Sequence, residues 1–298
     1  MSAARRPRVV VVGDAGLDVV ASHDGQLAVG SDTRAQVRVT EGGAGANTAE
    51  WLVACGVHAV LVGRVGADTA GRQVREQLEA AGVECVLAVD SGAATCVVVV
   101  VVDAAGNRTM LPDRGASAQL RADDLDRVVL AGAAHLHVSG YVLLDPSSRA
   151  AGRAALAAAR DAGLTTSVDP QAAALLSDVD QFLADVSGVD LLLPNADELR
   201  VLTGSPDIAG AASLLDHVRV IAATDGANGA AWLDSAGIVR AAAPETPCVD
   251  PTGCGDAFNA GLLAAWLAGA GPADALERGV AVGALAALQW GARPRASD

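Results

Sequence analysis

The sequence is poor in aromatic residues and in positive charge. Phe, Trp and Tyr make up only 2% of its 298 residues, and the formal net charge at pH 7 is −14. Proteins that bind nucleic acids use rings that stack on bases and basic side chains that neutralise phosphates. The composition therefore predicts that the chain has no nucleic-acid partner.

Long apolar runs and paired cysteines are also missing. The longest valine-rich run, Cys96 to Val102, is too short to cross a bilayer as a helix, and Gly13-Asp14 interrupts the first apolar run far short of a signal-peptide core. The five cysteines are odd in number and contain no C-x-x-C pair that would indicate zinc or a redox dithiol. We therefore expect a reduced, cytoplasmic protein without a membrane partner.

What the chain does contain is an alternation of short apolar strands with segments of helical periodicity. Strands are predicted at Val9–Val12, His58–Val62, Leu136–Val138, Leu164–Val168, Val189–Leu193 and Val218–Ala222. Helices are predicted after the glycine turn at Gly42 and over Gly71–Ala81, Ser147–Ala162, Ala209–Asp216 and Gly255–Ala268. Such alternation predicts an α/β fold whose central, mostly parallel sheet is covered on both faces.

Two segments interrupt this alternation. Residues 19–40 and 94–111 are rich in β-branched residues and have no helical period, and an Ala-Gly-Asn turn within the second is typical of a hairpin. They are predicted to be strands inserted into a single domain that covers residues 1–298. Because the first segment leads into the glycine-rich loop at Gly42, the inserted strands are expected to form a small β lid near a ligand.

The strongest candidate site is "DPTGCGDAFNAG", residues 250–261. Gly253, Cys254 and Gly255 lie at the predicted start of a helix, where free N–H groups and the helix dipole favour phosphate oxygens. Asp256, in the first turn, can take a proton from an attacking hydroxyl beside that anion site. The same stretch is equally typical of a helix cap with an acidic first turn.

Two further segments near the N-terminus have binding chemistry. The loop Gly42-Gly43-Ala-Gly-Ala-Asn47 indicates either a turn that packs a helix closely on the sheet or a ligand site, where the Asn47 amide can both donate to and accept from hydroxyl groups. Asp18 follows the first strand at its carboxyl end, where open α/β sheets bind ligands, although a capped turn is also typical there.

Two strand ends in the second half of the chain are candidates for a nucleotide site. Asn195 and Glu198 follow the strand Val189–Leu193; their oxygens suit magnesium with retained waters, and they equally suit a helix cap. Thr224 and Gly226 follow the next strand, where the glycines fit either a hairpin turn or a backbone that passes a nucleotide.

Taken together and in this order, the segments resemble the PfkB family of ribokinase-like sugar and nucleoside kinases. The resemblance runs from "VVVVGDAGLD" through "GGAGANTAEWLVACG", "VGRVGADTAG", "LLLPNADE" and "TDGANGA" to "DPTGCGDAFNAG". It implies a three-layer α/β/α fold with a small β-sheet lid, and the transfer of the γ-phosphate of ATP to a hydroxyl of a small sugar.

The resemblance also implies a role for each candidate residue. Asp256 is the expected general base, and the amides of Gly253, Cys254 and Gly255 form the anion hole. The sugar is held by Asp18, Gly42, Gly43 and Asn47. Asn195 and Glu198 order Mg²⁺ and its waters, Thr224 and Gly226 line the ATP side, and Asp250 and Thr252 lie where many members bind a monovalent cation, so K⁺ is expected there.

Several departures from the family pattern leave the acceptor open. Pro251 replaces a common threonine, Cys254 stands where alanine is common, and Gly16 and Ala44 replace an asparagine and a lysine that ribokinases proper tend to carry. A nucleoside kinase of the same family and a catalytically silent sugar or nucleotide sensor are the alternatives. A dinucleotide-dependent oxidoreductase is disfavoured, because G-x-G-x-x-G is absent after Val9–Val12. The apolar strand Cys96–Val102 also predicts a homodimer through the lid.

Overall fold

A computed structural model describes residues 6–295 and contains thirteen strands within them. In chain order the strands are β1 (Arg8–Val12), β2 (Gly16–Ser22), β3 (Gln36–Gly42), β4 (His58–Gly66), β5 (Glu84–Asp90), β6 (Cys96–Val102), β7 (Arg108–Asp113), β8 (His135–Ser139), β9 (Thr165–Asp169), β10 (Val189–Leu192), β11 (Val218–Thr224), β12 (Ala230–Asp234) and β13 (Gly237–Ala241).

Eight α-helices connect and cover these strands in the described part of the chain. They are α1 (Ala44–Ala54), α2 (Thr69–Ala80), α3 (Tyr141–Leu144), α4 (Arg149–Asp161), α5 (Val179–Val186), α6 (Ala196–Thr203), α7 (Cys254–Leu267) and α8 (Pro272–Ala287). The helix predicted over Ala209–Asp216 is a 3₁₀-helix that spans Ile208–Asp216. Within residues 6–295, no helix has both the length and the apolar character that a membrane crossing needs.

The main sheet has nine strands in the order β13-β12-β11-β10-β9-β8-β1-β4-β5. The strands from β11 to β5 pair in parallel, and β12 and β13 add an antiparallel hairpin at one edge. Because successive side chains of a strand point to opposite faces, Val9 and Val11 enter one apolar core while Val10 and Val12 enter the other. The predicted parallel sheet with two covered faces is confirmed.

Helices lie on both faces of this sheet. The core on one face includes Trp51 of α1, Leu78 of α2, Phe258 of α7 and Leu276 of α8. The core on the other face includes residues of α3 to α6, among them Leu156 and Phe182. The buried side chains of β1 and β4 alternate between the two cores, and the result is the predicted three-layer α/β/α arrangement.

A separate sheet of four strands, the small sheet, is built from β3-β2-β6-β7. β2 pairs with β6 in parallel over seven residues, and β3 and β7 pair antiparallel on the outside. The two inserted segments expected at 19–40 and 94–111 supply these strands, although residues 23–35 lie between β2 and β3 without forming a strand. Since β2 follows β1 after three residues, the small sheet adjoins the carboxyl edge of the main sheet.

Candidate active site

Asp256 lies in the first turn of α7, at a helix start that requires glycine. Gly253, the residue before the helix, has φ 76°, and a Cβ there would lie 2.5 Å from the carbonyl oxygen of Ala292. The Cys254 N–H donates to the Pro251 carbonyl at 3.3 Å. Within residues 6–295 the N–H groups of Gly253 and Gly255 have no such acceptor, so two of the three predicted amides are free to bind an anion.

The Asp256 carboxylate is buried and held by the first turn of α1. The Asn47 amide donates from Nδ2 to Oδ2 at 2.9 Å, and the Thr48 hydroxyl lies 3.4 Å from Oδ1. Burial, together with the negative charge of Asp169, raises the pKa of Asp256 to about 8, while the hydrogen bond from Asn47 acts in the opposite direction. A carboxyl group with a pKa near neutrality is suited to act as a general base.

Asn47 is itself oriented by Arg293, which was not predicted from the sequence. The buried guanidinium donates from Nε to Asn47 Oδ1 at 3.3 Å, from Nη1 to Glu50 Oε1 at 2.9 Å and from Nη2 to the Gly42 carbonyl at 2.8 Å. Occupation of Asn47 Oδ1 by a donor leaves Nδ2 to face Asp256. The available signal was Glu50, the one charged residue of helix α1, because a buried acid requires a cation.

Asp169 is a second buried acid that the sequence analysis did not single out. It ends β9 and accepts hydrogen bonds from Asn259 Nδ2 at 2.6 Å and from the Gln171 N–H at 2.8 Å. Burial raises its pKa to about 6, although both hydrogen bonds favour the charged form. Its place at the carboxyl end of a central strand was the available signal.

Asp18 and the glycine loop lie against each other as predicted. The register of β2 and β3 pairs Gly16 with Gly42, and a Cβ on Gly42 would lie 2.2 Å from Asp18 Oδ1. Gly43 has φ 93° and closely approaches the backbone of Asp14. Burial, and next the charge of Asp14, raise the pKa of Asp18 to about 7. Only glycine at 42 and 43 permits this approach.

The side chains of Asp250 and Thr252 also meet. Asp250 accepts from the Thr252 N–H at 3.0 Å, from the Thr252 hydroxyl at 2.6 Å and from the Gly291 N–H at 3.1 Å. Burial alone would raise the pKa of Asp250, but these hydrogen bonds hold it below its ordinary value. Arg108 of the small sheet donates from Nη1 to Thr252 Oγ1 and lies 3.4 Å from Asp250 Oδ1, so a cationic group already contacts the oxygens predicted to bind K⁺.

The predicted nucleotide residues lie at the ends of β10 and β11. Asn195 caps α6, since its Oδ1 accepts from the N–H groups of Asp197 and Glu198 at 2.9 Å, and Glu198 Oε2 accepts from the Asn195 N–H at 2.9 Å. Thr224 donates its N–H to the Pro194 carbonyl and lines a 680 Å³ cavity. Gly226 begins the following 3₁₀ turn and does not line that cavity.

Glu198 is almost fully buried, and its pKa is raised to about 8 by burial and by the charge of Asp169. Within the described chain, no group of three or more His, Cys, Asp or Glu side chains is placed to hold a metal ion. The Asn195 amide oxygen accepts the two cap N–H groups, and the Glu198 oxygens accept from the N–H and Nδ2 of Asn195, so an ion at this place would contact these residues through water.

Known proteins resemble this chain in fold across nearly its whole length. A probable sugar kinase from Rhizobium etli superposes with a TM-score of 0.90 over 98% of this chain and 96% of its own, at 23% identity. An adenosine kinase from Sinorhizobium meliloti superposes with a TM-score of 0.89 over 98% and 97%, at 24% identity. These similarities show the fold.

Sequence comparison is more specific. The chain is 33% identical over 280 residues to an ATP-dependent ribose-1-phosphate kinase from Halopiger xanaduensis, covering 93% of this chain and 88% of the relative. It is 32% identical over 266 residues to a fructokinase from Klebsiella pneumoniae, covering 86% and 83%. The model of the pfkB family carbohydrate kinases matches residues 6–297. The chain therefore belongs to the PfkB family and is a sugar or nucleoside kinase, a phosphotransferase with an alcohol group as acceptor.

Proposed function

We propose that the chain transfers the γ-phosphate of ATP to a hydroxyl of a small sugar, with Asp256 as the general base. The observation that carries this proposal is the buried Asp256 carboxylate, with its raised pKa, beside free N–H groups at the start of α7. Asp256 accepts the proton of the acceptor hydroxyl, and the oxygen bonds to the γ-phosphorus as the bond to ADP breaks. The amides of Gly253 and Gly255 stabilise the charge on the transferring group.

The acceptor is proposed to lie between Asp18 and Asn47. The Asp18 carboxylate accepts hydrogen bonds from sugar hydroxyls. Gly42 and Gly43 approach closely there, and their lack of side chains leaves space beside the carboxylate. Cys254 contributes through its backbone, because burial raises the pKa of its thiol to about 11 and leaves it protonated. The small sheet is proposed to act as a lid that excludes water, so that ATP is not hydrolysed instead.

ATP is proposed to bind in the cavity lined by Thr224, with Gly226 at the turn beside it. Asn195 and Glu198 would hold Mg²⁺ through its waters, which agrees with the absence of a cluster of several acids in the described chain. When bound, Mg²⁺ supplies charge neutralisation for the phosphates. We also propose a K⁺ ion near Asp250 and Thr252, which would replace the contact of Arg108 with these oxygens. Replacing K⁺ with tetramethylammonium in the assay is then expected to lower the rate.

The test of the function is ADP release over a panel of neutral sugars, sugar phosphates, sugar acids, adenosine and pseudouridine. Asp256→Asn is expected to reduce turnover of the best acceptor by about 10²–10⁴-fold, the usual contribution of a general base. A matched control is Asp274→Asn, an exposed acid in the first turn of α8. Turnover of Asp256→Asn within a few-fold of the wild type would make the base assignment wrong, and preference for a nucleoside would favour the alternative within the family.

A homodimer through the outer face of the small sheet is part of the proposal. Val39, Val19, Val99 and Leu111 form one row across the four strands, and Val39 and Leu111 are 60% and 57% exposed. An apolar row of this kind is stabilised when it is covered. Light scattering is expected to give a dimer mass for the wild type and a monomer mass for Val39→Lys; a monomeric wild type at working concentration contradicts the dimer.

The remaining expectations from the sequence stay predictions. They are a single domain over residues 1–298, a cytoplasmic location, and the lack of nucleic-acid and membrane partners.

The named relatives include kinases of a neutral sugar and of a sugar phosphate. The named relatives therefore leave the class of acceptor open, and the residues that line the acceptor pocket must decide it.

A further inference from the structure

A second cavity, of about 160 Å³, lies between the small sheet and the loop that precedes α7. Asp18, Arg38 and Arg108 line it from the small sheet, and Asp250 and Trp290 line it from the other side. It therefore adjoins the acceptor-binding Asp18 and is separate from the cavity beside Thr224. Two arginines in this cavity are conspicuous in a chain with a net charge of −14.

The strand register places the charges of this cavity in sequence along one face of the small sheet. Asp18 is followed on the same face by Val20, which pairs with Arg38, and by Ser22, which pairs through Val102 with Arg108. At about 3.3 Å per strand residue, these rows lie about 7 Å and about 13 Å from the row of Asp18. Asp18 thus lies at the end of the cavity beside Gly42, whereas Arg38 and Arg108 lie farther along the small sheet, where Asp250 contacts Arg108.

Arg38 has no acidic partner of its own in the described part of the chain. Its guanidinium lies over the ring of Trp290, 5.2 Å from the ring centre, and residues 6–295 offer it no ion pair or hydrogen bond. Stacking on an indole orients a guanidinium while leaving its N–H groups available. Arg38 is therefore held at the exposed side of the cavity, and its N–H groups have no acceptor within residues 6–295.

Arg108 is used only in part. Its contacts to Asp250 and Thr252 both involve Nη1, and the remaining N–H groups have no acceptor within the described residues. A guanidinium carries five N–H donors in a planar fork that matches the oxygens of a phosphate or a carboxylate. Arg38 and Arg108 together therefore offer N–H donors that no acceptor of the described residues occupies.

The geometry points to an acceptor that carries an anionic substituent: a phosphorylated or carboxylated sugar whose hydroxyls lie at Asp18 and whose anion is bound by Arg38 and Arg108. This inference deepens the proposed function and rests on it for the reaction. Without the arginines, Asp18 and Asp250 would repel such a ligand. The separation of Asp18 from the two arginines keeps the anion away from Asp18 and directs a hydroxyl toward Asp256.

The test compares ribose and fructose with ribose 1-phosphate, ribose 5-phosphate and fructose 1-phosphate, and with gluconate and 2-keto-3-deoxygluconate, by ADP release. The best anionic acceptor is expected to exceed its neutral counterpart in kcat/KM by about tenfold to a hundredfold, the effect of one charge-assisted hydrogen bond. Comparison of the sugar phosphates with the sugar acids identifies which kind of anion the cavity binds.

Variants of Arg38 test whether this residue causes the preference for an anionic acceptor. Arg38→Met is expected to raise KM for the anionic acceptor about tenfold with kcat nearly unchanged and to leave neutral sugars unaffected, and Arg38→Lys is expected to recover part of the loss. Arg34→Met, an exposed arginine in the same segment that does not line the cavity, is the matched control. A neutral sugar as the best acceptor, or an anionic one indifferent to Arg38→Met, overturns the inference and leaves the kinase function intact.

Measuring ligand binding without turnover distinguishes failure of the inferred anion site from failure of the proposed kinase reaction. If no acceptor is phosphorylated but a sugar phosphate or sugar acid from the panel raises the Tm of the wild type and not of Arg38→Met, the inference holds and the proposed reaction fails. If none of them raises the Tm of the wild type and none is turned over, the inference is overturned as well.

Discussion

Asn47 donates from Nδ2 to Asp256 Oδ2 at 2.9 Å, which joins the glycine loop to the start of α7 across 209 residues of sequence. The bond favours the charged carboxylate and so keeps the pKa of Asp256 from rising further. Asn47→Ala is expected to move the acidic limb of the kcat profile, where the rate rises with pH, to higher pH and to lower kcat at pH 7. A limb that stays in place would show that the bond does not control the base.

The second prediction concerns the pH dependence of the wild type. Asp256 is the base only when deprotonated, so kcat/KM is expected to rise about tenfold per unit below pH 8 and to level off above it. Because the charge of Asp169 contributes to the raised pKa, Asp169→Asn is expected to move this limb to lower pH. Asp274→Asn serves again as the control, and an equal shift in both variants contradicts the assignment.

The third prediction separates two roles of Arg293. Arg293→Met leaves the buried Glu50 carboxylate without its cation, a change that typically costs about 3–5 kcal/mol of unfolding free energy. It also releases Asn47, so both Tm and kcat are expected to fall. Adding Glu50→Gln removes the unpaired charge and should restore much of the Tm. If kcat recovers equally, Arg293 supports stability alone and does not position Asn47.

The fourth prediction is a gain of stability on loss of the base. A carboxyl group whose pKa is raised on folding binds more protons in the folded state, so its effect on stability is increasingly unfavourable from its ordinary pKa up to about pH 8. Asp256→Asn is expected to raise the Tm more at pH 8.5 than at pH 5. Thermal unfolding at the two pH values measures this, and an equal change at both contradicts the raised pKa.

The sequence predicted those parts of the fold that local patterns determine. Valine runs and helical periodicity located most strands of the parallel sheet, because each strand buries a continuous apolar segment. Helix α8 is not among the predicted elements, although Pro272 at its first position is typical of a helix start. Strands β12 and β13 were also missed, because each has only five residues and so short a strand gives a weak sequence signal.

The residues of the candidate site also divide into those that a local sequence pattern indicates and those that it does not. Asp256, Asn47 and Asp18 stand in short glycine-rich segments whose composition indicates binding. Arg293 and Asp169 lie in segments without such a pattern, and only the folded chain brings them to the base. A buried polar residue can therefore indicate a partner that no motif predicts. Glu50, for example, required a cation that the local sequence does not contain.

The ion pair between Glu50 and Arg293 also bears on how the protein matures. Its partners are 243 residues apart, so the pair closes one of the longest loops that the chain can form. During synthesis the N-terminal strands emerge first, but Asn47 cannot be held in its working orientation until residue 293 has left the ribosome. Nascent chains that already contain α1 and α7 are thus expected to lack an assembled catalytic site.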